Sequence, residues 1–338
     1  MRIFYWLADY SGCGFYRALL PGSELVNRGH DVMADGRVVP AEVHAGECDV
    51  VVGQRVCNEA ASVTWQKLAR AGHTKLVFET DDLLSAVDPS NRQAAHFYDA
   101  ETVERYHQNM AMADVITVTT DRLADYAASI NMTAEIHVLP NQVPGWLLDH
   151  EKPATPDPEL LTIGWRGGLS HNRDFGELAR PLRAFLQHPA YRGRVEFHAM
   201  GADYTSRVAS NHSRTRWTGW HEAVGDFLKA VDFDMAVIPL RPSIFNEAKS
   251  DLALVEMSAL GIPSIVSGWH GSPYRVLKGY AGPVAHLASR ASDWTEHLRY
   301  LVDNPEAREQ LGKTAREWAA GRTIEANVHR WETAYAGG

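Results

Sequence analysis

Four short stretches of the chain combine glycine, hydroxyl and charged residues in ways that suit phosphate and hydroxyl chemistry. Asp81 and Asp82 stand side by side in Glu79–Thr80–Asp81–Asp82. Adjacent carboxylates can accept hydrogen bonds from hydroxyls, act as a base or bind a metal. Mg²⁺ needs more oxygen ligands than this pair offers, so metal is the weaker reading. One of the two is also expected to cap a helix, since aspartate is favoured there. In Ser11–Gly12–Cys13–Gly14–Phe15–Tyr16–Arg17, Gly12 and Gly14 let backbone approach a ligand, and a following helix favours an anion. Arg17 occupies the third glycine position of the dinucleotide fingerprint, and no strand ending in Asp or Glu stands out about 20 residues on to hold a ribose. The alternative is an ordinary tight turn.

The third stretch is Gly164–Trp165–Arg166–Gly167–Gly168–Leu169–Ser170–His171. Arginine, serine and histidine around two glycines make a loop rich in phosphate donors; the plain alternative is a turn with a solvated arginine. The fourth is Pro239–Ser250, with Arg241, Asn246, Lys249 and Ser250, followed by Glu256. Glu256 lies two helical turns beyond Lys249 and can share its face. A glutamate there can hold two ribose hydroxyls while the lysine neutralises a diphosphate; otherwise it is a solvent carboxylate on an exposed helix.

These stretches fall where predicted strands end. Strands are expected at Arg2–Leu7, Asp49–Gly53, Leu76–Glu79, Val115–Thr119 and Ile136–Leu139, with helices at Phe15–Arg28, Ala60–Ala71, Glu101–Ala113 and Asp121–Ile130 between them. Five prolines between Pro140 and Pro158 then interrupt the pattern as a linker would. Strands resume at Leu161–Trp165, Val195–Met200, Met235–Leu240 and Pro263–Ser267. Helices are expected at Phe175–Gln187, His221–Ala230, Asp251–Leu260, Trp294–Asp303, Glu306–Ala319 and in a tail from Ile324 to Tyr335. Such alternation predicts α/β architecture, with parallel sheets covered on both faces. In such sheets, ligands bind beyond the carboxyl ends of the strands.

The bulk properties set outer bounds. A chain of 338 residues suits two domains. The net charge of −9 argues against a surface built for polyanions, although Arg207 to Arg216, with His212 and Arg214, is a candidate basic patch or else a solvated loop or helix end. Three cysteines at no metal-ligand spacing suit a reducing compartment. The N-terminus enters a strand without a signal peptide, and no apolar run reaches the roughly 18 residues of a membrane span. A soluble, cytoplasmic protein is expected. A Gly-x-Ser-x-Gly elbow and a P-loop are both missing, which disfavours α/β hydrolases and P-loop enzymes.

The chain resembles the GT-B glycosyltransferases of the family 4 (group 1) type, including divergent members from phages and bacteria. The most specific part runs from Asp234–Leu240 through Phe245–Asn246 and Lys249–Ser250 to Val255–Pro263. Ala113–Val118, Val138–Asn141 and Ile163–Trp165 with Ser170–His171 add to it. The resemblance implies two Rossmann-like doubly wound domains facing across a cleft. The N-domain would span 1–145, a linker 146–158 and a nucleotide-sugar domain 159–321, with a helix at about 322–338 packing back on the N-domain. It implies a nucleotide-sugar donor, retention of configuration, and neither cofactor nor metal. Glu256 would hold the ribose, and Arg166 and Lys249 the diphosphate. Backbone near Gly219 and Trp220 would receive the base; Gly12 and Gly14 would approach from the other side. Arg17, Ser170, His171, Asn246 and Ser250 complete the donor set, and Asp81 or Asp82 would meet the acceptor hydroxyl. Two positions depart from the family pattern: Ala248 stands where Glu-x7-Glu needs glutamate, and His171 where Arg-x4-Lys needs lysine. The acceptor stays open among glycan, lipid-linked sugar, protein, small molecule and modified DNA base. A sugar-binding protein without turnover and, more weakly, a nicotinamide-dependent oxidoreductase are the alternatives.

Overall fold

The computed structural model describes residues 1–89, 92–277 and 283–337. The tail expected to run to Gly338 thus ends outside the described residues by one position. Two compact units emerge. The first is Met1–Pro144 with Ala248–Ser250 and Thr323–Gly338; the second is Gly145–Glu247 with Asp251–Arg322.

The first unit is built on six parallel strands: β1 (Arg2–Trp6), β2 (Asp31–Asp35), β3 (Val50–Gln54), β4 (Lys75–Thr80), β5 (Val115–Val118) and β6 (Glu135–Val138). Their order is β2-β1-β3-β4-β5-β6. β3 is a run of valines buried at every position, as a strand covered on both faces requires. The connecting helices start where sequence chemistry directs. The side chains of Asn58, Asp99 and Thr120 accept from the amides of Ala61, Thr102 and Leu123 and so cap Glu59–Ala71, Ala100–Met110 and Asp121–Ile130. Gly72, at φ +65°, ends the first of these as a left-handed C-cap. The helix expected from Phe15 begins earlier, at Gly12, and passes through a π-helical turn at Phe15–Leu19 before continuing as Leu20–Asn27. The last segment is part of this unit's core. Trp331 and Tyr335 are buried, the Tyr335 hydroxyl meets that of Tyr5 at 3.0 Å, and Arg330 donates to the Val138 carbonyl.

The second unit also carries six parallel strands: β7 (Leu161–Gly167), β8 (Val195–Gly201), β9 (Arg214–Thr218), β10 (Met235–Ile238), β11 (Ser264–Ser267) and β12 (His286–Ala288). The order β12-β11-β10-β7-β8-β9 is that of a Rossmann sheet, with its reversal between β7 and β10. Trp165, Phe175, Phe197 and Tyr204 interlock beneath it with ring centroids 4.8–5.8 Å apart. Gly164 makes room for Phe233, whose ring lies where a Cβ would go. Gly145–Leu148, at the expected junction of N-domain and linker, forms a 3₁₀ turn within this unit.

Three strands went unpredicted: β2, β9 and β12. The first two are edge strands rich in charge, and the third has only three residues, so none offers the apolar run that marks an interior strand. β9 also carries Arg214 and Arg216 of the candidate basic patch. Arg214 pairs with Asp157 at 2.9 Å, Arg216 with Glu196 and Asp232 at 2.9 Å each, and Arg207 donates to Asn172. Arg214 and Arg216, paired with carboxylates, present little net field to a polyanion, whereas Arg207 meets a neutral amide. No helix among the described residues is long and apolar enough to cross a membrane.

Candidate functional site

In the first unit, three neighbouring strands end in polar residues. After β1, the Asp9 carboxylate accepts from the Ser11 amide at 2.9 Å, the Ser11 hydroxyl at 2.6 Å and the Gly14 amide at 3.2 Å. That ring shapes the glycine loop. A Cβ on Gly14 would sit 1.9 Å from the Asp9 carbonyl oxygen, so glycine is required there, whereas Gly12 faces open space. After β3 comes Arg55, the one described non-glycine residue with positive φ, at +46°. A conformation of that kind costs on the order of 1–3 kcal/mol and persists only where surroundings impose it. Its guanidinium bonds the other Asp9 oxygen and lies 3.9 Å from Asp81.

Asp81 and Asp82 follow β4. Neither caps a helix: Leu83 stands at the N-cap of the 3₁₀ turn Leu84–Ala86 and makes no side-chain cap. Both carboxylates are instead engaged with charge. Asp82 pairs with Lys249 at 3.1 Å. Burial pushes the Asp81 carboxyl up, but Arg55, the Cys13 thiol, Arg17 and Lys249 outweigh it and hold the group below its ordinary range. Burial also pushes the Cys13 thiol well up, so it stays neutral near Asp81.

Arg17 corrects an expectation. It is 1% exposed, forks onto Glu79 at 2.7 and 3.0 Å, and donates to the Leu139 carbonyl and the Asn141 side chain. Four of its five N–H donors are engaged inside the unit, so in this structure it braces the loop. Ser250 accepts from Asn141 at 2.9 Å in the same unit.

In the second unit the site gathers at the β7–β10 reversal. Arg166, near the carboxyl end of β7, forms an ion pair with Glu256 on the helix Leu252–Ala259, and Glu256 is only 2% exposed. Gly167 and Gly168 continue into a turn where His171 bonds Asp174 at 2.9 Å. The other Asp174 oxygen accepts from the Arg241 amide at 3.1 Å and from Asn246 at 2.8 Å. Burial works against the Asp174 charge, yet His171 and these donors hold its carboxyl low. Asn246 is thus a strut for the loop, buried and bonded to Asp174 and the Arg241 carbonyl. Ser170 is exposed and Gly219 half-buried. Trp220 is 57% exposed and stacks on Phe227 at 4.7 Å. It lies close beside Gly201, whose φ of +95° and contact with the Gly167 carbonyl exclude a side chain.

Sequence reasoning missed Asp9, Arg55 and Asp174. Asp9 and Asp174 follow the general rule for strand ends and helix starts, but nothing in the sequence singles out Arg55, because its left-handed backbone is set by packing.

No protein-family model matches the sequence, and no curated protein matches it. Solved structures do. Sucrose-phosphate synthase from Thermosynechococcus elongatus is similar at a TM-score of 0.69 and 15% identity, over 99% of this chain and 98% of that one. The chain has the GT-B fold. Anabaena HepE, solved with UDP-glucose, is similar at a TM-score of 0.69 and 12% identity, over 98% of this GT-B chain and 99% of its own. TarM is similar at a TM-score of 0.59 and 13% identity; the match covers 85% of this chain and 55% of TarM.

Proposed function

We propose that this GT-B chain is a glycosyltransferase that moves a sugar from a nucleotide-diphosphate sugar to an acceptor hydroxyl, with retention and without a metal. The observation that carries the reading is the Arg166–Glu256 pair at the strand-order reversal of a Rossmann sheet. That is where doubly wound sheets bind nucleotides. The similar HepE structure holds UDP-glucose, which supports a nucleotide sugar as donor. Glu256 would take the two ribose hydroxyls, releasing Arg166 to the diphosphate. Trp220 and Gly219 would border the base, Ser170 and His171 the phosphates, and Gly12 and Gly14 the sugar. Asp81 or Asp82 would orient the acceptor.

Chemically, the anomeric carbon exchanges its bond to the β-phosphate oxygen for one to the acceptor oxygen on the same face. The acceptor proton passes to the departing phosphate, so no protein nucleophile is needed. Arg166 and Lys249 would offset the charge that develops on that phosphate. The cytoplasm is the proposed compartment, in keeping with three free cysteines.

A second reading, binding without turnover, draws support from two places. His171 stands where the family's lysine would be and is bonded to Asp174, and Ala248 is buried where its first glutamate would be. Calorimetry with UDP, GDP, ADP, TDP and their sugars tests the donor site against Glu256→Ala. Micromolar binding of one nucleotide, lost in the variant, is expected. No binding to any would refute the transferase reading. Binding of the nucleotide sugar with neither transfer nor hydrolysis would select the second.

A further inference from the structure

We infer that Arg55 is a positioning residue, tying the glycine loop to Asp81 so that the carboxylate is fixed where the acceptor hydroxyl must lie. The inference rests on the transferase reading above, which assigns Asp81 to the acceptor. The geometry is specific to three neighbouring strands. Asp9 follows β1, Arg55 follows β3 and Asp81 follows β4, and the first sheet reverses its strand order between β1 and β3. Arg55 therefore stands at the crevice where such sheets place ligands.

One end of its guanidinium holds Asp9, whose other oxygen orders Ser11 and Gly14; the other end faces Asp81 at 3.9 Å. The Arg55 Nε and the Asp81 Oδ1 are buried without a hydrogen-bond partner. A purely structural pair would be expected to close that gap, since unsatisfied buried polar atoms are costly. A hydroxyl that donates to Asp81 and accepts from the Arg55 Nε–H would satisfy both atoms. The left-handed backbone at Arg55 agrees, because strain of this sort gathers at ligand clamps.

Other charges also face Asp81. Arg17 and Glu79 pair with each other and largely cancel, Lys249 and Asp82 pair beside it, and Cys13, Tyr98 and Tyr106 are neutral neighbours. Arg55 is the first of these in its effect on the Asp81 charge.

The test compares wild type with Arg55→Gly, which removes the side chain while suiting the left-handed backbone, and with Arg55→Lys, which keeps the charge. Two readouts are needed: carbon-13 NMR titration of the Asp81 carboxyl, assigned with Asp81→Asn, and the pH profile of sugar transfer. In Arg55→Gly the Asp81 midpoint should rise by about one unit or more, as loss of a neighbouring cation requires. The acid limb of kcat should move with it, and kcat should fall at least about tenfold at unchanged KM for the donor. Arg55→Lys should recover most of the midpoint and part of kcat. An unmoved titration and acid limb, whatever the loss of turnover, would overturn the inference by reducing Arg55 to a structural brace. If wild type transfers sugar to no acceptor, the transferase reading fails. The NMR midpoint then supports or overturns the tie between Arg55 and Asp81 by itself.

Discussion

Replacing Glu79 by Gln removes one charge from a buried pair while keeping shape and most hydrogen bonds. Both partners are essentially inaccessible, at 0% and 1% side-chain exposure. Burial opposes the charge on each; Arg17 stays protonated because Glu79 outweighs that opposition, and Glu79 is itself raised by burial despite Arg17. Glutamine would leave the guanidinium with only neutral acceptors: the Leu139 carbonyl, Asn141 and the new amide oxygen. Breaking one side of such a pair costs about 3–5 kcal/mol, since an uncompensated charge remains buried. At about 2–4 °C per kcal/mol for a unit of this size, the first unit should melt roughly 10 °C lower. Hydrogen exchange read by mass spectrometry assigns the loss, because β1, β4 and the Tyr335 helix should exchange together while the second unit keeps its protection. The double replacement Arg17→Met with Glu79→Leu should recover much of the loss, as apolar substitutes for buried pairs often do. A Glu79→Gln variant that loses under about 1 kcal/mol would refute the reasoning. Nucleotide affinity unchanged in Arg17→Met would agree with Arg17 as a brace; a large loss of affinity would restore it to the donor site.

Two further outcomes concern the second unit. Gly164→Ala would drive a Cβ into the Phe233 ring at 1.9 Å, and overpacking of this kind costs about 1–3 kcal/mol or more; chemical denaturation should show it, with Phe233→Leu in the same chain partly relieving it. Burial, then His297 at 4.7 Å, lowers His286 to about 4. Its folded value lies below the unfolded one of about 6.5, so the native state binds fewer protons; the contribution is full above pH 6.5 and is lost as pH falls towards 4. Partial exposure reduces it to ~1–2 kcal/mol. Unfolding midpoints at pH 7.5 and 5 should differ less in His286→Phe than in wild type, and an equal difference would exclude His286.

The interior strands were legible because a buried parallel strand must be an apolar run: Val50–Gly53 and Leu76–Phe78 have no other reading. Of the four edge strands only β6 was legible; β9, for one, carries arginines whose partners are distant in sequence. The same limit separates the site residues. Glu256 and Arg166 stand out because both the spacing and the local chemistry favour them. Arg17 misled because an arginine after glycines looks like a phosphate ligand; its commitment to Glu79, 62 residues away, is a tertiary fact. Arg55 escaped notice for the opposite reason, since its backbone conformation is imposed by contacts and leaves no trace in residue type.

The chain's closing segment has a consequence for how the protein is made. Trp331 and Tyr335 belong to the core under β1, and the isolated bridge from Val143 to Thr323 ties that segment down. The strands of the first unit leave the ribosome early, yet their hydrophobic floor arrives only after the whole second unit has been synthesised. Synthesis therefore completes the second unit before the first: residues 1–144 lack their cover over Tyr5 until residues 323–337 have emerged. A premature stop before Trp331 would therefore damage the part of the protein encoded furthest from it.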